Sequence, residues 1–435
     1  MQFPKYVGVL ALAGAAVLGP ASVASAVSMP AGVTTHNAAD VGLFGASDPT
    51  YDGAFRQSLG LLAEHVAGVS DKAATNWLVN QQCPDGGWAP YRSDLSKPCP
   101  ATDLTNFVGE DSNSTALAVQ ALHALGVTPK HDAIAFLHSL QDSDGGFPLL
   151  AGSGTDPNST ALVIQAIRAV GQDPASAAWT VSGHTPVDAL MASWVNCPSS
   201  DAGAFSSPYS SGHGDLVSSV QAVWGAEQTP LPISANSGAT QPAPDCSGGA
   251  LSPTPAQAGQ YAATWLAGQL QGAGYLTTGS SPDYSLTAQG VLAMVASGTN
   301  STAATKATDY LAANAHQAIL DSHGVVSPGA TGYIALAAHA MGRSVTSFGG
   351  VNLVTTLASV RRALPAAAPT PTTTPATAHH PATQPAADTS AGQATLPVTG
   401  AASWGQASAG FACVGVGVLV LMLARRRSRP DPARR

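Results

Sequence analysis

The stretch Gln82-Cys83-Pro84-Asp85-Gly86-Gly87-Trp88, preceded by Trp77-Leu78, returns as Gln141-Asp142-Ser143-Asp144-Gly145-Gly146-Phe147 behind Phe136-Leu137. A third copy runs from Trp265-Leu266 through Gln271 to Gly274-Tyr275, and two worn copies lie around residues 190–205 and 310–325. Self-similarity of this kind means that one supersecondary unit is stacked on itself, each copy covering the apolar face of the next. Around the copies, apolar residues recur at helical spacing in an Ala-rich background, so the unit is built from helices.

The other half of the unit starts with polar residues and runs into a second helix. It reads Asp111-Ser112-Asn113-Ser114-Thr115-Ala116 through Gln120 to Gly126, and again Asp156-Pro157-Asn158-Ser159-Thr160-Ala161 through Gln165 to Gly171. Related helices are expected to begin at Asp52, Asp215, Asp283 and Thr331. Six helices of this kind, alternating with the Trp/Phe-Leu helices, predict about six helical hairpins. An open row would leave two apolar faces bare, so residues 27–363 are expected to close into an all-α ring, an α/α toroid. The Pro- and Ser-rich stretch 229–254 reads as a surface loop tied down by Cys246.

The motif Gln-x-x-Asp-Gly-Gly-Trp/Phe closing a helix resembles the QW repeat of squalene and other terpene cyclases and of protein prenyltransferase β subunits. The resemblance implies an α/α toroid in which Gln82, Gln141 and Gln271 cap neighbouring outer helices while Trp88, Phe147 and Tyr275 stack in the turns. Those roles are architectural, and fold does not decide function. Cyclases of this family that begin by protonating an alkene use the central Asp of Asp-x-Asp-Asp-Thr-Ala. Here that position holds Asn113 or Asn158, whose amide has no suitably acidic proton. Both segments also read as helix starts, with Asn and Ser accepting from the first free amides and Asp favouring the positive helix end. If the inner helices share one rim, Asp52, Asp111, Asn113, Asp156, Asn158, Asp215 and Asp283 form a ring of polar groups at one mouth, suited to a polar or cationic ligand. A prenyltransferase-like zinc site would need Asp, Cys and His together, and no Cys has a His at ligand spacing near an inner helix start. No metal or cofactor is therefore expected.

The two ends carry an address. Residues 1–26 have Lys5, an apolar run from Val7 to Leu18, Pro20 and the small triplet Ala24-Ser25-Ala26, the layout of a secretory signal peptide. Residues 364–395 are rich in Pro, Thr and Ala and bury too little to order themselves, so they read as an extended, disordered stalk. Residues 396–435 resemble the LPxTG sorting signal of sortase substrates: Leu396-Pro397-Val398-Thr399-Gly400, one transmembrane helix at about 405–424, and the basic tail 425–435. The resemblance implies that a sortase cleaves after Thr399 and joins the chain through it to the peptidoglycan of a Gram-positive wall, from a membrane-retained precursor. A formal net charge of -8 gives no footprint for nucleic acid. Outside the apolar anchor, which holds Cys413, four cysteines remain in an oxidising compartment: Cys83, Cys99, Cys197 and Cys246. Two disulfides follow, and the shortest loops pair Cys83 with Cys99 and Cys197 with Cys246, although spacing alone leaves the connectivity open. Together these features describe a secreted, wall-anchored surface protein whose toroid is a binding or adhesion module for a small-molecule or glycan ligand. The alternative is an extracellular enzyme, either a degenerate terpene cyclase or a glycan-processing one.

Overall fold

The computed structural model describes residues 40–234 and 241–363. The signal peptide, the stalk and the sorting signal from Leu396 to the basic tail lie outside the described residues. Among those described, thirteen α-helices dominate, with one two-stranded hairpin at β1 (Thr277–Thr278) and β2 (Ser281–Pro282). No helix among them is long and apolar enough to cross a membrane.

Six helices form an inner set: α1 (Gly53–Val66), α3 (Ser112–Ala124), α5 (Pro157–Ala169), α7 (Leu216–Ala226), α9 (Tyr284–Ala296) and α12 (Pro328–Ala340). Each packs on the next in chain order, and α12 packs back on α1, so the set is a closed ring. Six outer helices pack each against the inner helix before it: α2 (Lys72–Gln81), α4 (Ala133–Ser139), α6 (Pro186–Ala192), α8 (Pro255–Gln269), α10 (Ser301–Ala313) and α13 (Leu353–Ser359). A single turn, α11 (Ala315–Ala318), follows α10. Burial separates the two kinds. Residues 112–122 of α3 and 286–296 of α9 are buried without a break, whereas α2 and α4 bury one stripe.

The repeated turn joins each outer helix to the next inner one. Gln82 donates its side-chain amide to Gly86 O and His131 O, and accepts from His131 N, which pins the start of α4. Gln141 repeats the two donations, to Gly145 O and Trp179 O. The aromatic that ends the turn is fully buried, and its backbone N–H donates to a hydroxyl one turn into the inner helix: Trp88 to Thr115 at 2.9 Å, Phe147 to Thr160 at 3.0 Å and Phe205 to Ser219 at 3.0 Å. Gly86 has φ +106°, and a Cβ there would lie 2.2 Å from Asp132 O, so only glycine fits where the turn meets the outer helix.

Two expectations change. The third copy is shifted by one residue, because four residues separate Leu266 from Gln271 where three separate Leu78 from Gln82. Leu276, not Tyr275, holds the buried turn position and donates its N–H to Thr287, while the side chain of Gln271 donates only to Gln269 O. The sixth inner helix begins earlier than Thr331, at the N-cap Ser327, with Pro328 in its first turn.

The two cysteine pairs are bridged as the shortest loops suggest, Cys83 to Cys99 and Cys197 to Cys246, with Cα separations of 6.0 and 5.4 Å.

Candidate functional site

The N-termini of the inner helices gather the predicted polar residues, but not in one role. Asp111, Asp156, Asp215 and Asp283 are N-caps whose carboxylates accept from Ser114 N, Asn158 N, Ser218 N and Leu286 N. Asp52 occupies the same position on α1 without a capping bond, and its carboxylate pairs with Arg56 at 3.2 Å. Burial pushes Asp111 and Asp156 up to about 6, Asp156 with some help from the charge of Asp215. It raises Asp52 as well, against the pull of Arg56.

Asn113 and Asn158 are not caps. Each sits two residues inside the capping Asp, so the capping role read into them belongs to Asp111 and Asp156. Asn158 is bonded at both ends of its amide, donating to Gln221 Oε1 at 3.2 Å and accepting from Ser218 Oγ at 3.0 Å. Gln221 donates onward to Gln289. A polar chain therefore ties α5, α7 and α9 together just below the rim. Asn113 is buried, with Ser112 Oγ 3.4 Å from its side-chain oxygen.

The protein's own side chains meet inside the ring. Trp224 of α7 and Tyr333 of α12, helices that are not ring neighbours, face each other with ring centroids 6.3 Å apart, and both are fully buried. The opposite mouth is covered by the segment that leaves α7. Thr229 O accepts from Gln165 Nε2 at 2.6 Å, Leu231 N donates to Gln120 Oε1 at 2.9 Å, and Leu231 and Ile233 are buried. The beginning of the expected surface loop is thus a plug. Its signal was the pair of apolar residues Leu231 and Ile233 inside a Pro- and Ser-rich stretch, together with Gln120 and Gln165 deep in their helices.

Two further features bear on chemistry. Glu110, just before the cap Asp111, is pushed up to about 8 by burial and by a hydrogen bond with Asp85 in the turn. It lies with Cys83 and Cys99 in a cluster of metal-ligand types, but both sulfurs are bonded to each other and offer no thiolate. On the outside, α10 and the neighbouring turn form a groove of about 800 Å³ lined by Ala273, Thr305, Lys306, Asp309, Tyr310 and Asn314. Sequence reasoning had assigned none of these groove residues a function. Tyr310 stands between Tyr275 and Tyr284, with centroids 4.8 and 6.0 Å away.

No family model matches the chain, and no curated protein matches it. Among solved structures it is similar to the ent-copalyl diphosphate synthase from Streptomyces platensis, at 15% identity over 66% of this chain and a TM-score of 0.44. The chain spans 50% of that enzyme's length. A protein from Actinoplanes is similar at 18% identity, with 70% of this chain and 92% of that one covered and a TM-score of 0.43. The type II terpene cyclase MstE from Scytonema, in complex with geranylgeranyl dihydroxybenzoate, is similar at 12% identity over 69% of this chain and 72% of that one, with a TM-score of 0.37.

Proposed function

We propose that this chain is a wall-displayed binding or adhesion module that engages its ligand from the outside of the helical ring. It is exported through residues 1–26, carried on the stalk 364–395 and joined by a sortase through Thr399 to peptidoglycan. The observation that carries the non-catalytic part is the contact of Trp224 with Tyr333 in the ring centre. A cyclase needs that space for its substrate, together with a carboxylic acid where this chain has Asn113 and Asn158. Asn158 is further fixed by Ser218 and Gln221. The rim carboxylates of Asp111, Asp156, Asp215 and Asp283 already serve the helix ends.

A glycan-processing reading has one feature on its side, Glu110, whose carboxyl burial and the hydrogen bond with Asp85 push up to about 8, the direction a general acid requires. Three measurements separate the readings. The Thr399→Ala chain is expected to move from the wall to the membrane or medium fraction, while the unaltered chain resists boiling detergent. The full chain is expected to give no cyclic product from squalene by gas chromatography. It is also expected to release no reducing ends from wall glycans, with Glu110→Gln indistinguishable from the unaltered protein. Wall linkage that survives Thr399→Ala would sink the anchoring, and a cyclic product or Glu110-dependent release would sink the binding-module reading.

A further inference from the structure

The turn before α9 departs from its sister turns in a way that frees side chains. Cys83 N bonds to Gly87 O, Asp142 N to Gly146 O and Gln271 N to Tyr275 O, so Tyr275 stands where the other two turns have their second glycine. In those turns a side chain has no room: a Cβ at Gly87 would lie 2.6 Å from the Phe136 ring, and one at Gly146 would lie 2.3 Å from Thr155. With Leu276 filling the buried position, Tyr275 is not needed in the core and points to the surface, half-buried, against Tyr310. Tyr310 in turn packs nearly parallel to Tyr284, the first residue of α9, at an interplanar angle of 17°. Tyr310 lines the α10 groove, and Tyr275 and Tyr284 pack against it from either side at the groove's edge.

The remaining lining sets a few polar side chains among Ala273 and Ala313. Asp309 is held by Arg343 at 2.7 Å and is exposed, and Thr305 and Lys306 stand out from the same helix. Asn314, also in the lining, uses its amide nitrogen on Tyr310 O, so its amide oxygen remains an acceptor. At about 800 Å³ the groove is within the range of small-molecule sites, about 300–1,000 Å³, but it is open to solvent along its length.

We propose that this groove is a carbohydrate-binding subsite, taking a pyranose chain whose C–H faces lie on Tyr275 and Tyr310 and whose hydroxyls bond to Asp309, Asn314 and Thr305. Flat rings bearing hydroxyls, flanked by acceptors and donors of both signs, match a ligand with an apolar face and a hydroxylated edge. A phosphate or sulfate ligand would meet the Asp309 carboxylate, and an acyl chain would find no enclosed apolar wall. The proposal rests on reading the protein as a displayed binding module, and it names the ligand class and the face that binds it.

The test titrates the full chain, purified in mild detergent, with soluble oligosaccharides of glucose, of galactose and of N-acetylglucosamine. Binding of at least one series is expected, weakened about tenfold in Tyr275→Ala and in Tyr310→Ala by loss of ring stacking. Tyr209→Ala, an exposed tyrosine in another repeat, should bind as the unaltered chain does. Asp309→Ala changes an exposed side chain and is expected to weaken binding several-fold, so it serves if a tyrosine variant melts early. Binding that Tyr275→Ala, Tyr310→Ala and Asp309→Ala all leave intact would overturn the groove while leaving the module reading in place. Failure to bind any of the three series would overturn the carbohydrate assignment, and the module reading is then judged separately by the wall fractionation and product assays above.

Discussion

At Asn158 both ends of one amide are committed, the nitrogen to Gln221 and the oxygen to Ser218. An Asp in its place keeps the acceptor and loses the donor, setting a carboxylate oxygen against Gln221 Oε1 in a partly buried site. It also adds a charge near Asp156, which burial already pushes up to about 6. Asn158→Asp is therefore expected to lower stability by roughly 1–3 kcal/mol, where a capping Asn would exchange for Asp almost without cost. Chemical denaturation of the two proteins checks this, and an unchanged midpoint would mean that the bonds of Asn158 to Gln221 and Ser218 add nothing to stability. The helix start was legible in Asp156-Pro157-Asn158-Ser159, because Pro and small polar residues crowd the first turn. Which residue caps was not legible. An N-cap and its second neighbour differ by two positions, and the choice depends on backbone dihedrals that composition does not reveal.

Among the elements, the repeated turn is where pattern and structure agree most closely, and a one-residue slip marks where they part. Gln82 reaches 49 residues along the chain to hold both the N–H and the C=O of His131. Gln271, one residue later in its own turn, reaches only Gln269 O and is exposed. Gln82→Ala should thus strip three backbone groups, the carbonyls of Gly86 and His131 and the N–H of His131, of their partner and cost roughly 1–3 kcal/mol, while Gln271→Ala should fall within about 0.5 kcal/mol of the unaltered protein. Thermal melts of the pair decide it, and equal losses would mean that the two glutamines do the same work after all. The slip was countable, since the distance from Leu266 to Gln271 exceeds that from Leu78 to Gln82 by one residue. Its consequence for Tyr275 and Leu276 was not, because either could have filled the core. The plug at Leu231 escaped for a different reason. Its hydrogen bonds go to Gln120 and Gln165, residues 111 and 64 positions away, and local sequence is blind to such partners.

Across the whole molecule the ring is closed by the two ends of the described chain, which together build a sixth turn. Phe44 pairs with Arg361, as Trp88 does with Gln82, and Gly42 at φ +96° meets Ala73 O as Gly86 meets Asp132 O. Arg361 stands in the place of the glutamine and pairs with Asp71, the cap of α2, while Arg362 is buried against Asp40 at 2.8 Å. Five turns were visible as repeats, and the sixth was hidden because its halves lie at opposite ends of the sequence. The folded ring also buries several of its carboxyls. Burial pushes Glu64 and Glu227 up to about 7 and Glu110 to about 8, with Asp111 and Asp156 at about 6. In the unfolded chain the same groups ionise at their ordinary values of 3.8 for Asp and 4.5 for Glu. Between about pH 4 and pH 8 the folded state therefore holds more protons than the unfolded one, and stability falls as pH rises. The exposed carboxylates Asp94, Asp103 and Asp245 are shifted the other way by local hydrogen bonds, and they act only at the acid end of that window. The denaturation midpoint is expected to be higher at about pH 5 than at about pH 8 at constant ionic strength, and Glu110→Gln should flatten the upper part of the slope because a neutral amide cannot ionise there. A midpoint that climbs from pH 5 to pH 8 would mean that these five carboxyls are already ionised in the folded ring, as they would be if water reached the rim and the turn at Glu110 freely.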